Sequence, residues 1–172
     1  MHRLFVALRP PEPVRNTLID AMEGLDGSRR QGNEQLHLTL RFVGEVDAPQ
    51  ANDLADPLRS VRAEPLVLRV HEVGHSAKKG RVSALWAASV QSEGLAALPR
   101  RVERACRAAG LPPETRQFMP HVTIARLNTG TGPIGDWLAE HFRFARKPTR
   151  SGRRALRDGG RMAARPRPVE RS

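Results

Sequence analysis

The chain has 172 residues, 39% of them hydrophobic, enough for one domain or two small fused lobes with a real core. A single cysteine, Cys106, excludes an intrachain disulfide and a Cys-rich zinc site, and no apolar stretch approaches the roughly 18 residues of a membrane span. The formal net charge of +11 points to a polyanionic partner, but +7 of it lies in residues 147–172 and only +4 in the 146 residues before them.

In chain order, Arg3 to Leu8 is a compact apolar run and reads as a first strand, not a signal peptide. Pro13 suits the first turn of a helix on which Val14, Leu18, Ile19, Met22 and Leu25 recur at helical spacing. Residues 26–33 are polar and read as a loop. Gln35 to Val43 is a second strand. Residues 48–62 are helical, with Pro57 as a kink or early end. Leu66 to Val73 alternates as a strand, and Gly74 to Arg81 reads as a loop. Val82 to Val90 is a strand. Gly94 to Ala109 is a helix with Leu95, Leu98, Val102, Ala105 and Cys106 on one stripe, closed by Gly110. Phe118 to Leu127 is a strand, Ile134 to His141 a short helix and Phe142 to Ala145 one more strand.

The order strand, helix, strand, helix, strand thus occurs twice, over residues 3–73 and 82–146. The third element of each half carries a His-x-Thr motif: His37-Leu38-Thr39-Leu40 and His121-Val122-Thr123-Ile124. Side chains alternate along a strand, so His37 and Thr39 share one face and Leu38 and Leu40 the other. The same holds for His121 and Thr123 against Val122 and Ile124. If the halves are related by a pseudo-two-fold axis, the two polar faces meet in one cleft. Phosphodiester hydrolysis needs one group to take a proton and another to give one, and histidine can do either near neutrality. Threonine hydroxyls can donate to phosphoryl oxygens. A single His-x-Thr in a strand is usually structural, but two at matching places in a repeat carry more. Two histidines alone make a poor metal site, so no metal and no cofactor are expected.

The flanks of these motifs resemble the 2H phosphoesterase superfamily, and within it the LigT-like RNA 2′,3′-cyclic phosphodiesterases. The residues that carry the resemblance are Arg3-Leu4-Phe5-Val6-Ala7-Leu8, Leu36 to Val46, Leu85-Trp86-Ala87 and Phe118 to Arg126. The resemblance implies a bilobal α/β (α+β) fold, with two antiparallel sheets flanking a central cleft and helices outside, within a single domain over residues 1–146. It implies metal-independent hydrolysis of RNA 2′,3′-cyclic phosphate ends to 2′-phosphomonoesters, with weak 2′–5′ RNA ligase activity as a further expectation. His37 would be the proton donor and His121 the proton acceptor, with Thr39 and Thr123 holding the phosphate. The partner would be an RNA with a 2′,3′-cyclic end, tRNA fragments included, acted on by a cytoplasmic monomer.

Other residues have weaker claims. Arg41 is in phase with His37 and Thr39 and is expected to face the cleft. Arg126 lies out of phase with His121, so it is either a phosphate ligand at a twisted strand end or a structural ion-pair residue. Lys78, Lys79 and Arg81 are candidate RNA-backbone contacts on a loop. Phe42, Phe118 and Trp86 are expected in the core, and Cys106 as a packed, inert thiol. Rival readings are a non-catalytic RNA- or nucleotide-binding module and a 2H enzyme for 2′–5′ oligonucleotides or small cyclic phosphates.

Residues 147–172 depart from the family pattern. They are rich in Arg, Pro and Gly, no aromatic follows Phe144, and the chain has no Tyr. The segment is expected to be mostly disordered. It is either a natural basic arm that recruits RNA or the result of a reading-frame change near residue 147.

Overall fold

The computed structural model describes residues 2–63 and 66–142, and the backbone of 163–166. Strand β1 (His2–Leu8) is followed by α1 (Glu12–Ala21), β2 (Arg29–Arg30), a single 3-10 turn (Asn33–Gln35), β3 (Leu38–Val46) and α2 (Ala48–Ser60). Then come β4 (Val70–Lys78), β5 (Arg81–Ser89), α3 (Glu93–Ala108), β6 (His121–Arg126), α4 (Gly135–His141) and β7 (Ala163–Pro166).

The strands run in the order β4-β5-β6-β3-β1-β7, with β2 on β6, and all neighbours are antiparallel. The two expected sheets are therefore joined. The joint is minimal: β3 and β6 meet through one pair, Leu38 with Val122. These are the middle residues of the two His-x-Thr motifs, so the expected two-fold axis passes through the joint. On one side of it β6 carries β5 and β4, and on the other β3 carries β1.

Helices cover the apolar face. Helix α3 starts at Ser92, whose hydroxyl accepts from the Leu95 N–H at 3.2 Å, a cap worth about 1 kcal/mol. It buries Leu95, Leu98, Val102, Ala105 and Cys106 on the expected stripe and packs against α2 and β3. The indole N–H of Trp137 on α4 donates to the Ala21 carbonyl at 2.9 Å, tying α4 to the end of α1. Leu38, Leu40, Val122 and Ile124 all lie in this core, as the alternation of the two motifs requires.

Several expectations need correction. Residues 74–78 are strand, not loop: β4 begins at Val70 and continues to Lys78, opposite Arg81. Only Lys79 and Gly80 turn, both at positive φ (52° and 75°), the conformation of a two-residue hairpin loop matched to strand twist. Pro57 does not end α2, which runs three residues further. Residues 26–33 contain β2 and the first residue of the 3-10 turn. Ala163–Pro166, within the segment expected to be mostly disordered, forms a short strand on the outer edge of β1, where an open strand edge offers a row of unpaired backbone groups. Most of the strand expected over 142–145, and most of the 147–172 segment, lie outside the described residues.

Candidate active site

Antiparallel pairing of Leu38 with Val122 puts Thr39 beside His121 and His37 beside Thr123. Four polar side chains thus form a diagonal quartet, all half-buried. His37 Nδ1 lies 2.6 Å from the Gln35 carbonyl oxygen, and His121 Nδ1 lies 2.8 Å from the Met119 carbonyl oxygen. In both cases the carbonyl belongs to the residue two places earlier. A carbonyl only accepts, so each Nδ1 carries the hydrogen and each Nε2 is the ring nitrogen without it. The Thr39 and Thr123 hydroxyls are not hydrogen-bonded to any described residue.

Each histidine also has an aromatic neighbour. The His37 ring stacks on Phe5, centroids 4.6 Å apart, and His121 lies tilted beside Trp86 at 5.8 Å. Trp86 is thus not a core residue but a wall of the site, half-buried over Gly74. A Cβ at Gly74 would come within 2.3 Å of the indole, so only glycine leaves room for the ring there. The Trp86 indole N–H is held by the Ser76 hydroxyl at 3.2 Å.

Immediately after each motif the strand carries a β-bulge. Between β1 and β3 the register moves from Ala7–Thr39 to Val6–Arg41, leaving Leu40 extra. Between β5 and β6 it moves from Trp86–Thr123 to Leu85–Ala125, leaving Ile124 extra. One extra residue reverses the alternation downstream. Arg41 consequently turns to the helix side, against the expectation from strand parity. Its buried guanidinium donates to Glu103 of α3 at 2.5 Å and to the carbonyls of Phe42 and Pro112. Arg41 is thereby held in an ion pair with α3, and from there it also lines the cavity that opens beside Thr39 and His121. Arg126 is turned the other way, onto the face of His121 and Thr123, and its guanidinium has no ion-pair partner among the described residues. Phe42, five residues after His37 as Arg126 is five after His121, likewise leaves the core and is 40% exposed. Phe118 stays partly buried against the core, as expected.

Positive charge gathers at the Arg126 end of the quartet. Arg29 lies opposite Arg126 across β2–β6, and Arg30 opposite Ala125; no sequence pattern marked these two arginines, because a two-residue strand has no periodicity to read. Arg126 also faces Ala84 on β5, and beyond it the hairpin tip presents Lys78, Lys79 and Arg81, all exposed. At the opposite end, past Thr39 and His121, β3 and the chain entering β6 splay around a cavity of about 470 Å³. Phe42, Pro99, Arg100, Glu103, Arg116 and Met119 line it. Among the described residues no three His, Cys, Asp or Glu side chains gather as a metal site, and His71 and His75 are not brought into one. Cys106 is buried, and burial pushes its thiol pKa up, as an inert packed thiol requires. No described helix is long and apolar enough to cross a membrane.

Two histidines, two threonines and one arginine, set on a two-fold frame, are residue types suited to acid–base chemistry on a phosphate. Known proteins share the frame. An RNA 2′,3′-cyclic phosphodiesterase of Aeropyrum pernix is 34% identical over 96 residues, which are 55% of this chain and only about half (54%) of that relative. The structure of TT0787 of Thermus thermophilus is 30% identical and covers 76% of each chain with a TM-score of 0.61. That of E. coli LigT in its apo form is 27% identical and covers 77% of each chain, also at 0.61. The family model of the 2′-5′ RNA ligase superfamily matches residues 10–150, both His-x-Thr motifs included, and the chain belongs to that family.

Proposed function

We propose that this protein hydrolyses RNA 2′,3′-cyclic phosphate ends to 2′-phosphomonoesters by two-histidine acid–base catalysis. The observation that carries the reading is the diagonal quartet, in which each Nδ1 is tied to a carbonyl, so that Nε2 is the nitrogen we assign to proton transfer. The Aeropyrum relative is named for an activity of the same kind.

With the phosphate between the motifs, His121 Nε2 takes a proton from water as its oxygen attacks phosphorus. The P–O3′ bond breaks, and His37 Nε2 gives its proton to the departing O3′, leaving a 2′-phosphate. Each transfer contributes about 10²–10⁴-fold. Thr39 and Thr123 donate to the non-bridging oxygens, and Arg126 balances their charge. The division between acid and base follows the family resemblance. Arg29, Lys78, Lys79 and Arg81 extend the positive surface along which the RNA backbone would lie. With a 5′-hydroxyl in place of water, the same two transfers join RNA ends through a 2′–5′ linkage. We place the protein in a reducing cytoplasm, on its lone buried cysteine, acting as a monomer on RNA ends such as those of tRNA fragments.

The test is to incubate the protein with an RNA ending in 2′,3′-cyclic phosphate, in EDTA, and map the product. Wild type should yield the 2′-phosphate, and His37→Ala and His121→Ala should each lose at least about 100-fold. Unchanged turnover in both variants would falsify the mechanism, and binding without turnover by wild type would favour a non-catalytic module.

A further inference from the structure

We propose that Trp86 is a positioning residue for His121, and that Gly74 and Ser76 of β4 fix the indole where it serves that purpose. This assignment rests on the two-histidine reading above and carries the site outward from β6 through β5 to β4.

A hydrogen bond at one ring atom does not fix an imidazole. Nδ1 of His121 is tied to the Met119 carbonyl at 2.8 Å, but a carbonyl accepts over a broad range of directions. The χ2 torsion of histidine is broad as well. Proton transfer is less tolerant. Nε2 must come within about 2.6–3.2 Å of the reacting oxygen, and a displacement of about 1 Å can cost on the order of 10²-fold in rate. A second contact on the ring is needed, and in each half an aromatic side chain makes it. For His37 it is Phe5, with centroids 4.6 Å apart and planes at 25°. For His121 it is Trp86, at 5.8 Å and 57°.

Strand register explains how Trp86 reaches the ring. On β5, Ala88 lies opposite His121, Ala87 opposite Val122 and Trp86 opposite Thr123. Trp86 therefore shares the face of His121 and Thr123. It reaches the imidazole diagonally, past the small Ala88, a span that aromatic side chains bridge. The two-fold frame does not supply this ring. In the other half the residue opposite Thr39 is Ala7, and Phe5 comes from two places earlier on β1, opposite Phe42. The two halves thus make the same contact from different strand positions, so the contact and not the frame is what they have in common.

The indole is held from behind. Gly74 lies opposite Trp86 across β4–β5, and a Cβ there would stand 2.3 Å from Cη2 and 2.5 Å from Cζ2, closer than side chains pack. The ring therefore lies against bare backbone of β4. Its N–H donates to the Ser76 hydroxyl at 3.2 Å, and the Ser76 carbonyl accepts from the Ser83 hydroxyl at 3.2 Å. With its benzo ring and its N–H both engaged by β4, the indole presents a fixed wall to His121.

The test is a double-mutant cycle on the full chain, read as kcat and KM with a nucleoside 2′,3′-cyclic phosphate. Trp86→Ala should lower kcat by about tenfold or more and leave KM unchanged. Gly74→Ala, which keeps the indole but displaces it, should do the same. In a His121→Ala background Trp86→Ala should cost nothing further, because residues that act as a unit are not additive. A folding defect would lower the active fraction by the same factor in both backgrounds, and that outcome overturns the proposal. So does a rise in KM with kcat unchanged, which would make the indole a substrate contact, or a wild-type kcat in either single variant. Full activity in His121→Ala would overturn the two-histidine reading itself.

Discussion

A backbone carbonyl two residues before each histidine decides which ring nitrogen the proposed mechanism can use. With Nδ1–H donated to the carbonyl of Gln35 or Met119, the orientation of each imidazole is set and the proposed proton transfers fall to Nε2. Arg126 is the cation that the second bulge brings to the same face. Arg126→Gln should lower kcat/KM by about 10- to 100-fold, which corresponds to the loss of one hydrogen bond to a charged group; steady-state rates on a nucleoside 2′,3′-cyclic phosphate measure it. The quartet itself was legible in the sequence, because alternation over three residues of a strand needs no knowledge of the partner strand. The opposite fates of Arg41 and Arg126 were not. Each lies just past a bulge, and a bulge is an extra residue relative to a neighbouring strand, invisible in either strand alone.

Among the elements, α3 does most to hold the first motif in place. Its Glu103 accepts from the buried Arg41 of β3 and, through its other carboxylate oxygen, from the Glu114 N–H at 3.2 Å. Helix, strand and the segment leading into the second motif thus meet at one carboxylate. Glu103→Ala would leave the Arg41 guanidinium buried without its counter-ion and should destabilise the fold by roughly 3 kcal/mol or more, read as a shift in denaturant midpoint at constant slope. The helix was legible from its apolar stripe and from the run between Gly94 and Gly110. This ion pair was not, since it joins residues 62 apart in sequence. The β4–β5 hairpin was misjudged for a related reason. Residues 74–78 are polar or small because they pair at the exposed end of β4, and an exposed strand end carries no apolar alternation to reveal it.

For the whole molecule, one residue pair at the two-fold axis joins two antiparallel halves and leaves them splayed on either side. The repeated order of elements, and with it the pseudo-symmetry, was visible along the chain; the joining of two sheets into one was not, because it depends on a single residue pair. Symmetry in the frame is paired with a difference between its two ends. The Arg126 end carries the hairpin cations, while the His121 end carries the Phe42 cavity. If donor RNA lies over the cationic end, replacing Lys78, Lys79 and Arg81 with Ala should flatten the dependence of log(kcat/KM) on log salt for an oligonucleotide substrate. The expected change in slope is about 0.7 for each phosphate that is no longer neutralised.

The central claim is that His37 serves the leaving oxygen and His121 the attacking one. A substrate in which sulfur replaces O3′ of the cyclic phosphate tests it directly, because a thiolate departs without a proton. On that substrate the rate of His37→Ala should recover to near that of wild type, while His121→Ala should stay impaired. Recovery of His121→Ala with continued loss in His37→Ala would contradict the account and reverse the direction of the site.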